Sequence, residues 1–250
     1  MANKNDSENY HRFVDKVCIV TGGASGIGYA TVDEFCKEGA TVAIFDFNEE
    51  NGKKAEEKLR AEGKHVTFFK AVFFGSKGLT ATSEDFTMSF STNVSGYALM
   101  VKAVYPYMKN AGGKSCSIVN ISSISAHRPQ PDRWTYSSTK GAIIMMTKCM
   151  ALDLSKDGIR VNSVSPGWTW SPEVFKAAVD GGREKWDPVW GQFHMLRRCA
   201  DCPEIARPIL FLCSNDASFI TSTDLSIDGG YIQMTNEGFG EQSSFAGSKY

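Results

Sequence analysis

The tightest constraint in this chain is the stretch from Lys16 to Asp46. It opens with the short apolar run Val17-Cys18-Ile19-Val20, which suits a buried parallel strand. Thr21-Gly22-Gly23-Ala24-Ser25-Gly26-Ile27-Gly28 follows, then apolar residues at Tyr29, Ala30, Val32 and Phe35 with helical spacing. A second strand, Thr41-Val42-Ala43-Ile44-Phe45, closes on Asp46. Glycines between a strand and a helix let the backbone turn tightly, so that a pyrophosphate can rest against the helix N-terminus. Thr21, Gly22, Ser25, Gly26, Ile27 and Gly28 are the candidates for that contact. Asp46 lies 20 residues beyond Gly26 at a strand end. A carboxylate there accepts hydrogen bonds from adenosine ribose hydroxyls and repels a 2′-phosphate, which indicates NAD over NADP. No Arg or Lys stands in the turn or directly after Asp46 to favour the phosphate.

A charged helix over about 49–62 and a third strand over 65–70 continue the alternation. Strand and helix in turn predict an α/β domain: a doubly wound, Rossmann-type parallel sheet with helices on both faces. A length of 250 residues, 42% hydrophobic, supplies the core for one such domain, placed at 15–232 between a polar extension (1–14) and a flexible tail (233–250). A net charge of -1 argues against nucleic acid as a partner. No apolar run is long enough to span a membrane, and no apolar leader stands at the N-terminus, so a cytoplasmic protein is expected. The seven cysteines are odd in number; Cys199-x-x-Cys202 lacks a second pair or a nearby histidine cluster, and reduced thiols without a metal site are the simpler reading.

The second half carries the chemistry. One helix is predicted over 83–109, beginning at a capping box in Thr82-Ser83-Glu84-Asp85 and holding Asn93 in its interior, where Asn is disfavoured. A strand over 116–121 delivers Ser122 and Ser123 at its C-terminal end, where ligands bind in a parallel sheet. Tyr136 and Lys140 follow at helical spacing i and i+4, on one face of a helix over 134–156. An ammonium beside a phenol favours the phenolate, which fits the pair for proton transfer. Another strand, 159–164, leads into Pro166-Gly167. The aromatic segment 168–196 then reads either as a specificity-setting cover for a cyclic or aromatic substrate or as rings that pack on themselves.

With Thr21-Gly22-x-x-x-Gly26-x-Gly28 and Tyr136-x-x-x-Lys140 both present, the chain resembles the short-chain dehydrogenase/reductase family over about residues 15–230. Thr92-Asn93-Val94-Ser95-Gly96, a Ser123 placed 13 residues before Tyr136, Pro166-Gly167 and Asp228-Gly229-Gly230 extend the resemblance. It implies an NAD-dependent oxidoreductase that interconverts a secondary alcohol and a ketone. In that reading Tyr136 is the general acid/base and also contacts the cofactor, and Lys140 assists it and holds the nicotinamide ribose. Ser123 holds the substrate oxygen, Asn93 supports a proton relay, and Pro166-Gly167 flanks the nicotinamide. A homodimer or homotetramer is implied as well.

One departure is large. Only 11 residues separate Lys70 from Thr82, too few for the helix and fourth strand expected there, so roughly 35 residues are missing after Ala71 relative to the family pattern. A shortened natural variant, an error in the gene model, or a stub strand at Val72-Phe73-Phe74 are the explanations. The gap also opens a second functional reading, a dehydrogenase-like protein that acts as a binding or regulatory partner.

Overall fold

Each strand of the first half finds its neighbour through a β-α-β step. The computed structural model describes residues 11–70, 79–112 and 116–235. Strands β1 (Val17–Thr21), β2 (Thr41–Asp46) and β3 (Val66–Lys70) pair in parallel in that order, joined by helices α1 (Gly26–Lys37) and α2 (Glu49–Ala61). On α1 the buried residues Ala30, Thr31, Val32 and Phe35 form one stripe, which meets Val20, Val42 and Ile44 of the strands. Asn48 caps α2 by accepting a hydrogen bond from Asn51 N–H, with Glu49 and Glu50 in the first turn and Arg60 in the last. Phe13, ahead of β1, is buried edge-on against Phe35.

Helix α3 (Ser83–Phe90) begins at the expected capping box, with Thr82 and Asp85 satisfying each other's backbone N–H groups. A π-helical turn over Ser91–Ser95 separates it from α4 (Gly96–Asn110). The single helix predicted over 83–109 is therefore interrupted by a wider turn at Asn93. Strands β4 (Ser117–Ile121), β5 (Arg160–Pro166) and β6 (Asp224–Ile227) form a second parallel sheet, in that order. The long helix α5 (Trp134–Ser155) links β4 to β5. Helices α6 (Pro172–Ala177), α7 (Gly182–Gly191) and α8 (Cys202–Cys213) lie between β5 and β6.

Among the described residues no strand stands between β1 and β4, so the sheet is two three-stranded halves rather than one continuous sheet. The short spacing between Lys70 and Thr82 accounts for this: a parallel strand beside β1 would need a crossover of a dozen or more residues before it. The Val72-Phe73-Phe74 stub lies outside the described residues. The halves are joined by helix packing instead. Leu210 and Cys213 of α8 enter the core of the first sheet, while Ile27 of α1 packs on the core that Val164, Ile205, Ile209 and Leu212 build around the second.

Candidate active site

The glycine turn is shaped by backbone contacts that only glycine permits. Gly22 (φ 69°) and Gly26 (φ 55°) adopt the left-handed region. At Gly28 an added Cβ would lie 1.9 Å from Gly22 O, so α1 approaches the end of β1 more closely than any side chain allows. Gly22 N–H donates to Phe45 O at 2.6 Å, which ties the turn to β2. Ser25 begins α1 without a side-chain cap, so the first N–H groups of the helix are left for an anion. Asp46 is buried: Oδ2 accepts from Ala24 N–H at 3.0 Å and Oδ1 from Asn48 N–H at 3.0 Å. The acid thus fastens the glycine turn as well as standing at the strand end. Sequence reasoning missed one neighbour here. Ser171 and Pro172, at the start of α6, lie 3.3 and 3.2 Å from where a Gly26 Cβ would be, so the segment after Pro166-Gly167 reaches the glycine turn.

The predicted catalytic residues come together around the end of β4 and the first turns of α5. Lys140 Nζ donates to Ile121 O at 2.8 Å and lies 5.4 Å from the centre of the Tyr136 ring. Tyr97 Oη of α4 donates to the same carbonyl at 3.2 Å. The Ser122 hydroxyl donates to Lys140 O at 2.9 Å and clamps β4 onto α5. Ser123 is buried and opens a short 3₁₀ turn, its Oγ accepting from Ser125 N–H at 3.2 Å. Asn93 sits in the π-helical turn, a feature common at functional sites. Its Nδ2 donates to Thr139 Oγ1 at 3.3 Å, and Thr139 in turn donates to Tyr136 O at 2.7 Å. Asn93 therefore reaches the Tyr136 turn through Thr139, a residue the sequence reading passed over.

Pro166 ends β5 opposite Ile227, and Gly167 follows with no room for a side chain, since a Cβ would lie 2.9 Å from Asp228 Cα. Beyond it the aromatic segment packs on itself. Trp168 and Trp186 both stack on Trp190, at 5.0 and 5.1 Å, and Trp170 lies 4.8 Å from Phe175. His194 is buried beneath this cluster. Its Nε2 accepts from Trp168 N–H at 3.3 Å, which places the proton on Nδ1, 3.2 Å from Trp190 O. Burial lowers its pKa from the ordinary histidine value. A cavity of about 500 Å³ beside this turn is lined by Gly167, His194, Leu196, Arg198 and Gly230, among others, and by none of the four catalytic candidates. The seven cysteines are free; burial pushes the Cys18 and Cys199 thiols up to about 12.

Two parallel sheets flanked by helices, with a glycine turn after the first strand, define the dinucleotide-binding type of α/β protein. Comparison with known proteins carries this further. A family profile described as "Enoyl-(Acyl carrier protein) reductase" matches residues 65–232, and one described as "short chain dehydrogenase" matches residues 16–73. The chain belongs to the short-chain dehydrogenase/reductase family, whose members use a nicotinamide cofactor. It is 33% identical to cyclopentanol dehydrogenase of Comamonas, covering 88% of this chain and 98% of that one. With 2,5-dichloro-2,5-cyclohexadiene-1,4-diol dehydrogenase of Sphingobium indicum it shares 31% identity over the same fractions. The crystal structure of L-sorbose reductase from Gluconobacter frateurii, complexed with NADPH and L-sorbose, superimposes with a TM-score of 0.84 at 25% identity, covering 90% of this chain and 100% of that one. The chain is thus an oxidoreductase-family enzyme with no described helix long and apolar enough to cross a membrane.

Proposed function

We propose that the protein interconverts a secondary alcohol and a ketone with NAD(H), using Tyr136 as general acid/base. The observation that carries this reading is the placement of the Lys140 ammonium beside the Tyr136 ring, anchored to the carbonyl of the strand that delivers Ser123. In the oxidative direction Tyr136, as phenolate, takes the proton of the substrate hydroxyl. Lys140 stabilises that phenolate and would hold the nicotinamide ribose. Ser123 holds the substrate oxygen by a hydrogen bond, and Asn93 supports the outgoing proton relay from its π-helical turn. Bound nicotinamide supplies the hydride acceptor.

The residues present fit a dinucleotide. The turn at Gly22, Gly26 and Gly28 brings the α1 N-terminus, which no side chain caps, hard against the end of β1, where a Cβ at Gly28 would collide with Gly22 O. With Thr21, Ser25 and Ile27 it would hold the phosphates, and Pro166 and Gly167 would flank the nicotinamide. Asp46 favours NAD by placing a carboxylate at the end of β2 with both oxygens fixed. The NADPH of the sorbose reductase belongs to that protein, and the competing preference is decided by assay. The two dehydrogenases of cyclic alcohols favour a ring-bearing substrate. The self-packed tryptophans argue against reading that ring from the aromatic segment alone. Exposed Leu99 and Tyr107 on α4 and Met145 and Leu152 on α5 support a homodimer or homotetramer. Seven free thiols suit the cytoplasm.

A panel of cyclic secondary alcohols, run with NAD and with NADP, tests the reading. Turnover with NAD that Tyr136→Phe abolishes supports it; turnover only with NADP overturns the cofactor assignment. The edges of β1 and β4, which no described strand pairs, favour the second reading, a shortened family member that serves as a binding or regulatory partner. A folded wild-type protein that binds no nicotinamide cofactor would favour that alternative.

A further inference from the structure

A polar cluster outside the four catalytic candidates joins the Ser123 loop to the last strand. Asp224 opens β6, with its side chain only 10% exposed. Its Oδ1 accepts from Ser163 Oγ at 2.6 Å, and its Oδ2 accepts from Ser165 Oγ and from His127 Nε2, both at 2.8 Å. His127 caps the 3₁₀ turn that Ser123 begins. Next to it, Arg128 donates through both Nε and a terminal nitrogen to Ile232 O, in the turn that Asp228 ties back through Gly230 and Ile232 N–H. The cluster is not a nucleophilic triad. Ser165 and Asp224 meet the same ring nitrogen of His127, whereas a triad needs them on opposite nitrogens.

We infer that His127 is a positioning residue: its bond to Asp224 latches the loop 123–128 to β6 and thereby holds the Ser123 hydroxyl where the substrate oxygen must sit. The argument rests on the reading of Ser123 given above. A largely covered carboxylate with three donors is a fixed anchor, because releasing a donor would leave part of its charge poorly solvated. The described loop residues that bond outward from the 3₁₀ turn are His127 and Arg128: His127 meets Asp224 of β6 and, at 3.3 Å, Ser165 of β5, and Arg128 meets the turn after β6. The side-chain bonds of Ser123 with Ser125 and of Ser125 with Gln130 stay within the loop and cannot fix its place on the sheet.

His127 is exposed on its outer side, so His127→Ala should fold. Two readouts are taken together on the full chain. Amide hydrogen exchange over 123–128 is expected to quicken at least about tenfold, and kcat with a cyclic alcohol to fall about tenfold, with the affinity for NADH within about twofold of wild type. His127→Gln, which keeps an N–H near the Nε2 position, should restore both; His127→Asn, whose amide is too short, should not. Unchanged exchange, or unchanged kcat with faster exchange, overturns the inference. If His127→Ala turns over normally while Tyr136→Phe is inactive, the latch is wrong and the proposed function stands. If wild type turns over nothing, the proposed function falls, and the exchange of 123–128 alone decides whether the latch exists.

Discussion

Strand β1 stands at the edge of the first sheet and β5 at the centre of the second, and they are buried in opposite ways. β1 is the more apolar, Val-Cys-Ile-Val-Thr, but Val17 is 75% and Ile19 43% exposed. β5 reads Arg-Val-Asn-Ser-Val-Ser-Pro, and every residue from Val161 to Pro166 is buried. The second sheet has α5 packed on it as well as α8; the first has α1 and α2, and its other face leaves Val17, Ile19 and Phe69 in the open. Covering on both faces buries even serines, which then need partners such as Asp224. A missing neighbour leaves valine and isoleucine wet. The half that carries Ser123, Tyr136 and Lys140 is the completed one, and the half that carries the glycine turn and Asp46 is the open one.

The largest expected effect lies in the completed half. Tyr136→Phe should lower kcat by about 10²–10⁴-fold while leaving NADH affinity unchanged, because the phenol acts on the proton and not on the adenosine side. Loss of cofactor affinity in that variant would break the separation of the two halves. Gly28→Ala should act on the other half. Its Cβ would collide with Gly22 O, a backbone atom that cannot swing away, so the variant should lose about 1–3 kcal/mol in urea unfolding and bind NADH measurably more weakly.

A third pair of substitutions tests the burial contrast itself. Val161→Ala, at a fully buried position, should cost about 2 kcal/mol, whereas Ile19→Thr should change stability by no more than about 0.5 kcal/mol. An Ile19→Thr cost as large as that of Val161→Ala would mean that something covers β1. The smallest effect is one of pH. Burial depresses the His194 pKa in the folded state, so the unfolded chain binds the proton more readily. The stability this contributes is complete above the ordinary histidine value of about 6.5 and is lost as pH falls through the depressed value. Melting temperatures of wild type and His194→Gln between neutral and acidic pH should show the steeper decline in wild type.

Much of this was legible in the sequence because the signals are local. The apolar run before the glycine turn, the capping box at Thr82 and the i, i+4 pair at Tyr136 and Lys140 each specify their own geometry within a few residues. The spacing from Lys70 to Thr82 pointed to a lacking fourth strand, but how the two halves then join was not legible, because that is set by long-range packing of α1 and α8. The π-helical turn had a weak signal: Ser91-Thr92-Asn93 is a run of poor helix formers inside an otherwise helical stretch. The roles of Thr139 and Ser122 were invisible, since a hydroxyl on a helix or at a strand end has many partners open to it and only the packed fold selects one. The aromatic segment shows the same limit in reverse. Its composition permits a substrate wall, but the rings satisfy one another.

Whether the open half still holds its cofactor is the question on which everything else depends. Titrating the folded wild-type protein with NADH and following the nucleotide fluorescence measures this directly. Saturable binding in the micromolar range, weakened by Gly28→Ala and unaffected by Tyr136→Phe, is the predicted result. A folded protein that leaves NADH fluorescence unchanged throughout the titration, with calorimetry also showing no binding, would contradict the account.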